Sequence, residues 1–356
     1  MSRYYQILIG KETKVQTGLS SASNNIGAEW TNQLAANNGV SGRADLGAQQ
    51  IEFLLPVTSY DQPSGQGWLR IWGPTKTQIS QAMDFNQAPI QIYGGMQPGL
   101  PLATAAVNDG QAGLLCAGEI YQAFGNWQGL TQTLEFIITS DLGASQSEPA
   151  NLQFIWKKGQ KLGPVLENCL NIAFPGTPVT VNVDSRLVLT QDESVVFQTL
   201  QQFGAYVTGV STDILQKTTD GKPYQGVKVF RDGDGIKVTD GTDAPAEPIN
   251  IKQQDIIGHP TWLGSNTIQF NTVLRSDITI ASLVKLPITA GLQAVTNVNS
   301  ASNARVKNAF DGTWIIQSIQ HAGNSRDPGA QSWISNFIAI STTASPLITS
   351  ERNASS

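Results

Sequence analysis

Two histidines, two cysteines and a scatter of carboxylates are the side chains of this 356-residue sequence that could do acid–base, nucleophilic or metal chemistry. His259 stands before Pro260 at a turn, and His321 ends a β-like run before Ala322-Gly323-Asn324. A serine–histidine–aspartate set can draw its members from distant positions, but the sequence has no Gly-x-Ser-x-Gly elbow to expose a serine. Both histidines therefore read as structural. Cys116 and Cys169 lie 53 residues apart in apolar contexts, which suits small buried thiols better than a metal site or a disulfide framework. Asp232 and Asp234 match the first two ligands of a calcium loop, but Ile236 and Asp243 stand where a third carboxylate and the closing Glu belong. Glu52, Glu119 and Glu135 fall on β-like runs, where a glycosidase could place two carboxylates across a sugar bond; nothing in their spacing selects a pair. Phosphate loops and dinucleotide-binding glycine spacings are absent. No catalytic, cofactor-binding or metal-ligating residue is assigned.

Composition narrows the function classes further. Charged residues make up 14% of the chain, against about a quarter in ordinary soluble proteins. The 32 Gln and 22 Asn outnumber the 22 Lys and Arg and 27 Asp and Glu taken together. Such an amide-rich surface is common where faces end up against other proteins. The net charge is −5 and the largest basic block is Lys157, Lys158 and Lys161. A duplex-binding protein needs clustered cations to release counterions, so sequence-specific nucleic-acid binding is not expected. No apolar run reaches membrane-spanning length, so no membrane insertion is expected. Met1–Gly10 lacks the basic leader and cleavage site of a signal peptide. Asn353-Ala354-Ser355 fits a glycosylation sequon by chance, in a polar tail.

The elements that must position these residues are mostly strands. Runs rich in β-branched and aromatic residues cover 4–9, 51–57, 68–72, 90–93, 114–124 and 130–139, separated by Gly, Pro and Asn turns. A short helix is expected over 75–83, after Pro74. The stretch 18–50 is crowded with Ser, Asn, Ala and Gly and reads as a contact arm or loop, with one helical turn at Trp30 and Leu34. After a polar linker at 140–150, two amphipathic helices are expected. Leu162, Val165, Leu166, Cys169, Leu170 and Ala173 mark the first, with Pro164 in its first turn and Phe174-Pro175-Gly176 at its end. The second is capped by Asp192, carries Val195, Val196, Thr199, Leu200 and Phe203 on one stripe, and stops at Gly204. Val179, Val181 and Val183 alternate as a strand between them. Strands then return at 227–230 and 236–239 around an Asp-Gly hairpin turn, and at 267–274, 278–286, 314–321 and 332–340. The fold class is mainly β with a small α+β unit: two β-barrels per chain. The first domain spans 1–145 with the polar loop 18–50, the α+β unit spans 146–215, the second barrel spans 216–341, and 342–356 is a polar tail.

Two features bear on assembly. Leu100-Pro101 followed by Ala123-Phe124-Gly125-Asn126-Trp127 is echoed by Leu286-Pro287 followed by Ala309-Phe310-Asp311-Gly312-Thr313-Trp314, with 23 residues from Pro to Phe in both. A diverged duplication would leave such an echo. The last strands are apolar on both faces, with Ile334, Ile338 and Ile340 on one and Trp333 and Phe337 on the other. A helix or another subunit must cover the second face, and Trp333 and Phe337 are expected at that interface. Trp68, Trp72, Trp127, Trp156, Trp262, Trp314 and Trp333 lie in or beside strands and read as barrel core rather than as a sugar-stacking platform.

Four segments, taken in order, resemble the baseplate hub proteins of contractile-tailed bacteriophages. They are Tyr93-Gly94-Gly95-Met96 with Leu100-Pro101-Leu102-Ala103; Phe124-Gly125-Asn126-Trp127-Gln128-Gly129 with Leu134-Glu135-Phe136; Trp262-Leu263-Gly264-Ser265-Asn266 with Ile268-Gln269-Phe270; and Trp314-Ile315-Ile316 through His321-Ala322-Gly323-Asn324-Ser325-Arg326-Asp327 to Trp333. The resemblance implies a homotrimer whose chains each supply two tube-protein-like barrels. Its pseudo-six-fold ring would join the tail tube, or its initiator, to the central spike and form part of the DNA ejection channel. It implies a structural protein, not an enzyme, in the baseplate of a virion and made in the host cytoplasm, with the tape measure protein and baseplate wedge as further contacts. His321 and Arg326 would organise a turn. The alternatives are a carbohydrate-binding or depolymerising tail protein, which glycan binding would reveal, and the equivalent hub of a contractile secretion or bacteriocin-like device.

Overall fold

The computed structural model describes residues 2–10, 26–33, 45, 47–60, 65–97, 111–140, 151–217, 224, 226–232, 235–241, 247–264, 266–287, 310 and 312–341. The polar tail 342–356 with its sequon, the linker 141–150, Leu100-Pro101, Asp234 and Asp243 lie outside the described residues.

Fourteen strands join in one sheet, and its order contains a repeat. Eight of them lie side by side: Ile256–Trp262, Thr267–Val273, Trp333–Ser341, Thr313–Asn324, Ile51–Leu54, Gln66–Trp72, Thr131–Thr139 and Gly113–Gln128. In chain order the first four run first, second, fourth, third, and the next four do the same. The two β units thus have the same topology, and all of these pairings are antiparallel. They meet where the third strand of the later unit, Thr313–Asn324, pairs with the first strand of the earlier one, placing Ala322, Gly323 and Asn324 opposite Leu54, Phe53 and Glu52. In each unit a further strand pairs with the third one: Pro89–Gln97 in the earlier, Leu283–Lys285 in the later.

Residues with period-two alternation form these strands and send every second side chain inward. Trp333, Phe337 and Ala339 are buried, whereas Ile334, Ile338 and Ile340 on the opposite face are half-buried. Trp333 and Phe337 are therefore core residues, which corrects their expected place at an interface. The cores of the two units interlock. Leu274 and Trp333 belong to the later unit yet pack in the first core, where Trp333 meets Phe53 edge-on at 5.4 Å. Gly323 makes room for this contact, because a Cβ there would overlap Phe53 and Trp333.

Several expectations need correction. Part of 18–50 is ordered secondary structure: Ile26–Thr31 pairs with Ser2–Gly10, and Trp30 is buried against Phe85 and Phe136. The expected helical turn at Trp30 is thus a strand, whose indole fills the first core. The echo is only half structural. Phe124 and Trp127 are exposed on a strand, whereas Phe310 and Trp314 are buried, so the two Phe–Trp segments are not equivalent. The repeat resides in strand order instead. Ile256–Trp262 is a strand although it contains Gly258 and Pro260, which hid it from pattern reading.

The α+β unit has its own core and two small sheets. Helix α1, Lys76–Ser80, caps the earlier β unit with a Thr75–Gln78 capping box. Helix α2, Leu162–Ala173, follows its predicted span. The second predicted helix starts later. Glu193–Phe197 is a strand paired with Leu152–Trp156, as β-branched Val195 and Val196 favour, and Asp192 accepts from the Lys158 amide at 2.8 Å instead of capping a helix. Helix α3 is Leu200–Ile214, capped by Thr199. Gly204 lies inside it rather than ending it, facing strand Lys228–Asp232, where a Cβ would sit in ordinary contact with Val229. That strand and its hairpin partner Gly235–Thr239 supply Val229, Ile236 and Val238 to this core.

Candidate assembly face

The outward side of the eight-strand sheet carries an apolar row that crosses both units. Cross-strand pairs place Val273, Ile334, Ala322, Leu54, Trp68 and Ile137 in one line ending at Gln122. Residues directly opposite share a face and touch. All the apolar members are half-buried except Trp68, which is 37% exposed. Ile338 and Ile340 extend the apolar area, opposite Ser318 and Ile315. None of these residues packs against any of the three cores. The expectation of two apolar faces thus holds, and the outward one is Ile334, Ile338 and Ile340.

Beside the row lies an ion cluster. Arg70 is 3.6 Å from Glu52 and 3.1 Å from Glu135, and its guanidinium stacks 5.6 Å from both Trp68 and Trp72. Asn126 and Thr133 donate to the same Glu135 carboxylate. Glu52 and Glu135 are thus brought together as partners of one cation. Acid and base roles need carboxylates whose environments differ, and these two face the same guanidinium. Glu119 pairs with Pro89 and Thr139 on other strand positions. The exposed indoles are also engaged: Trp127 lies under Lys76 at 5.0 Å, and Trp262 stacks on Phe310 at 5.3 Å.

Behind the row, the seam between the units is polar and buried. Arg275 is 2.5 Å from Asp277 and 3.6 Å from Asp255, and Gln111 of the earlier unit donates to Asp255 at 3.2 Å. Arg275, Asp255 and Gln111 are each at most 3% exposed. Ser335 accepts from the Arg275 amide and gives its one proton to the Arg275 carbonyl, so His321 Nδ1–H donates to Ser335 at 2.8 Å. His321 bonds across a strand pair, not in a turn as expected. Arg326 does hold the loop, donating to the Ala48 carbonyl at 2.6 Å. Arg3 on the first strand clasps the same loop through Asn324 and Ser332.

A cavity of about 60 Å³ sits at this seam, lined by Cys116, Arg231, Ser276 and His321 among others. That is room for water, not for a substrate. Burial lowers the His321 imidazole to about 4 and raises the Cys116 thiol to about 11, the nearby Arg231 charge opposing the latter. At neutral pH the imidazole is uncharged and the thiol protonated, so the pair cannot act as thiolate and imidazolium. His259 is exposed on Ile256–Trp262, with two strands between it and the strand of His321, and the fold does not bring them together. Cys169 is buried and donates to the Gln153 carbonyl at 3.3 Å. Among the described residues no group of three His, Cys, Asp or Glu could hold a metal, and no helix is long and apolar enough to cross a membrane.

The buried polar seam escaped sequence reading because its members are as far apart as Gln111 and Asp255. The Arg3 clasp joins residues more than 300 positions apart, and no local pattern signals either. The apolar row was half visible, in the isoleucines of the last strand.

Among the described residues, two strand edges in the eight-strand group lack a neighbouring strand, and beyond that group the sheet continues to Ile26–Thr31. Among the described residues Ile256–Trp262 is a terminal strand, paired with Thr267–Val273 alone. Gly113–Gln128 pairs with Pro89–Gln97 up to Glu119; beyond it the strand partner among the described residues is Thr131–Thr139, and the Ala123 amide donates to Asn86 Oδ1 at 2.8 Å. One edge is a first strand and the other a third strand. The seam inside the chain joins these same two kinds of strand.

No family model matches the sequence, and no curated protein matches it at a significant level. Solved structures do. A tail protein from Neisseria meningitidis MC58 aligns over 96% of this chain and 97% of its own, at 7% identity and a TM-score of 0.50. The 43 kDa tail protein of prophage MuSo2 from Shewanella oneidensis aligns over 96% and 98%, at 10% identity and a TM-score of 0.49. An E. coli component of the type VI secretion system, described as similar to bacteriophage T4 tail proteins, aligns over 82% and 73%, at 10% identity and a TM-score of 0.44. The chain is mainly β and has the fold of the Neisseria meningitidis tail protein.

Proposed function

We propose that this chain is the structural hub of a phage-type tail baseplate, a ring of copies that joins a tail tube to a central spike. One observation carries the reading. The two units repeat one strand order, the seam between them joins a third strand to a first, and among the described residues the terminal strand Ile256–Trp262 is a first strand while the part of Gly113–Gln128 beyond Glu119, a third strand, has one open edge. Pairing the distal half of Gly113–Gln128 in one copy with Ile256–Trp262 in the next repeats the internal seam between molecules. Head-to-tail contacts of this kind close into rings when the rotation allows, and closure removes exposed sheet edges. Three copies of two units give the pseudo-six-fold ring that the family resemblance implies. The amide-rich chain of net charge −5 suits the wall of a DNA channel, because clustered cations would retain phosphates. The location is then the virion baseplate, with tube and spike proteins as partners. The work is mechanical rather than enzymatic, which agrees with a buried seam whose imidazole and thiol are both uncharged.

The test is the mass of the purified protein by native mass spectrometry, together with amide hydrogen exchange. The expected result is three times 38.1 kDa, with slow exchange at 121–128 and 256–262 in the assembly. A ring whose two edges exchange as fast as exposed loops overturns the edge pairing. A chain that stays monomeric at all concentrations, alone and with tube or spike protein, overturns the hub.

A further inference from the structure

The α+β unit lies outside the fourteen-strand sheet. One groove on it combines three features. Its volume is about 570 Å³, between strand Leu152–Trp156 and helix α2. Its walls are apolar, formed by Ile155, Pro164 and Val165, and Asn168 and Gln160 supply amide groups. Ile155 is 44% exposed, and Val196 on the paired strand and Ile172 one helical turn beyond Asn168 are more exposed still. The rim carries Lys157 and Lys161, with Lys158 adjacent, the largest basic block in an acidic chain. Lys157 is paired with Asp192 at 3.3 Å, whereas among the described residues Lys158 and Lys161 make no ion pair.

We propose that this groove docks an extended segment of a partner protein in which carboxylates alternate with apolar side chains. The apolar walls take the anchors, and the lysines meet the carboxylates. Charge complementarity of this kind sets partner choice and encounter rate. Nucleic acid is the poorer occupant: two uncompensated lysines release few counterions, and the walls between them are apolar. The proposal stands whether or not the chain forms a ring.

The probe is a random 12-residue peptide display library panned on the full chain, followed by fluorescence anisotropy with a selected peptide. The expected outcome is enrichment of peptides carrying both carboxylates and apolar residues. Binding should weaken about tenfold or more in the Lys158→Glu/Lys161→Glu variant and in Ile155→Asp. These residues are exposed, and an unchanged circular dichroism spectrum and melting temperature will show that both variants fold. Rescue of the charge-reversed variant by a lysine-containing version of the peptide would fix the electrostatic contact. No enrichment, enrichment of basic peptides, binding insensitive to either variant, or tighter binding of oligothymidylate overturns the proposal.

Discussion

The two sides of the eight-strand sheet solve different problems with neighbouring residues. At the seam, inward-facing side chains are polar and fully buried: His321, Ser335 and Arg275 with Asp255 and Gln111. One residue along the same strands, Ala322 and Ile334 face outward in an apolar row with no core against it. Buried charges seldom add net stability over apolar packing, but breaking one costs heavily because its partner is stranded. The seam therefore holds one arrangement of the two units, whereas the outward row leaves apolar area for a surface outside the chain.

The largest effect is expected from Arg275→Ala, which leaves Asp255 buried with Gln111 as its remaining partner. Urea unfolding should show a loss of about 3–5 kcal/mol, and a loss under about 1 kcal/mol would remove the seam from the account. Next comes acid. The folded His321 imidazole titrates near 4, below its usual value of about 6.5. The unfolded chain therefore takes up the proton first as pH falls. Stability is full above about pH 6.5 and declines toward pH 4, by about 3 kcal/mol in all. His321→Gln should flatten that part of the profile relative to wild type, and parallel profiles would show that His321 does not carry it. Gln111→Ala should cost about 1.5–3 kcal/mol, since it removes a hydrogen bond to a buried carboxylate, and a double-mutant cycle with Arg275 should show coupling.

The smallest effect on the chain itself is expected outward. Ile338→Asp should change the unfolding free energy of the monomer by about 1 kcal/mol or less, yet prevent assembly, read as mass in solution. If Ile338→Asp unfolds the chain as severely as Arg275→Ala, the outward row is covered within the chain and the contrast fails.

Much of this molecule can be read locally. Helix α2 follows from its three-four period and Pro164, and most strands follow from alternation, because both patterns reflect contacts between near neighbours in sequence. Errors arose where tertiary packing overruled a local signal. Val195 and Val196 fit a helical stripe, but pairing with Leu152–Trp156 made them a strand. Gly204 reads locally as a helix stop, but it is buried inside helix α3, which packs on strand Lys228–Asp232. Gly258 and Pro260 disguised an edge strand, where one unpaired side tolerates proline.

The mainly β class, the separate helical region, the amide-rich and charge-poor composition and the apolar character of both faces of the last strand were all legible in the sequence. Each follows from composition or from periods of two and 3.6, which need no knowledge of distant partners. Which face of Trp333–Ser341 is core, which polar residues form the seam, and that the two units share one sheet are set by long-range packing. Those facts rest on pairings such as Ala322 with Leu54 and Gln111 with Asp255. Residues so far apart in the chain are chosen by packing and hydrogen bonding in three dimensions, and a linear pattern carries no record of that choice.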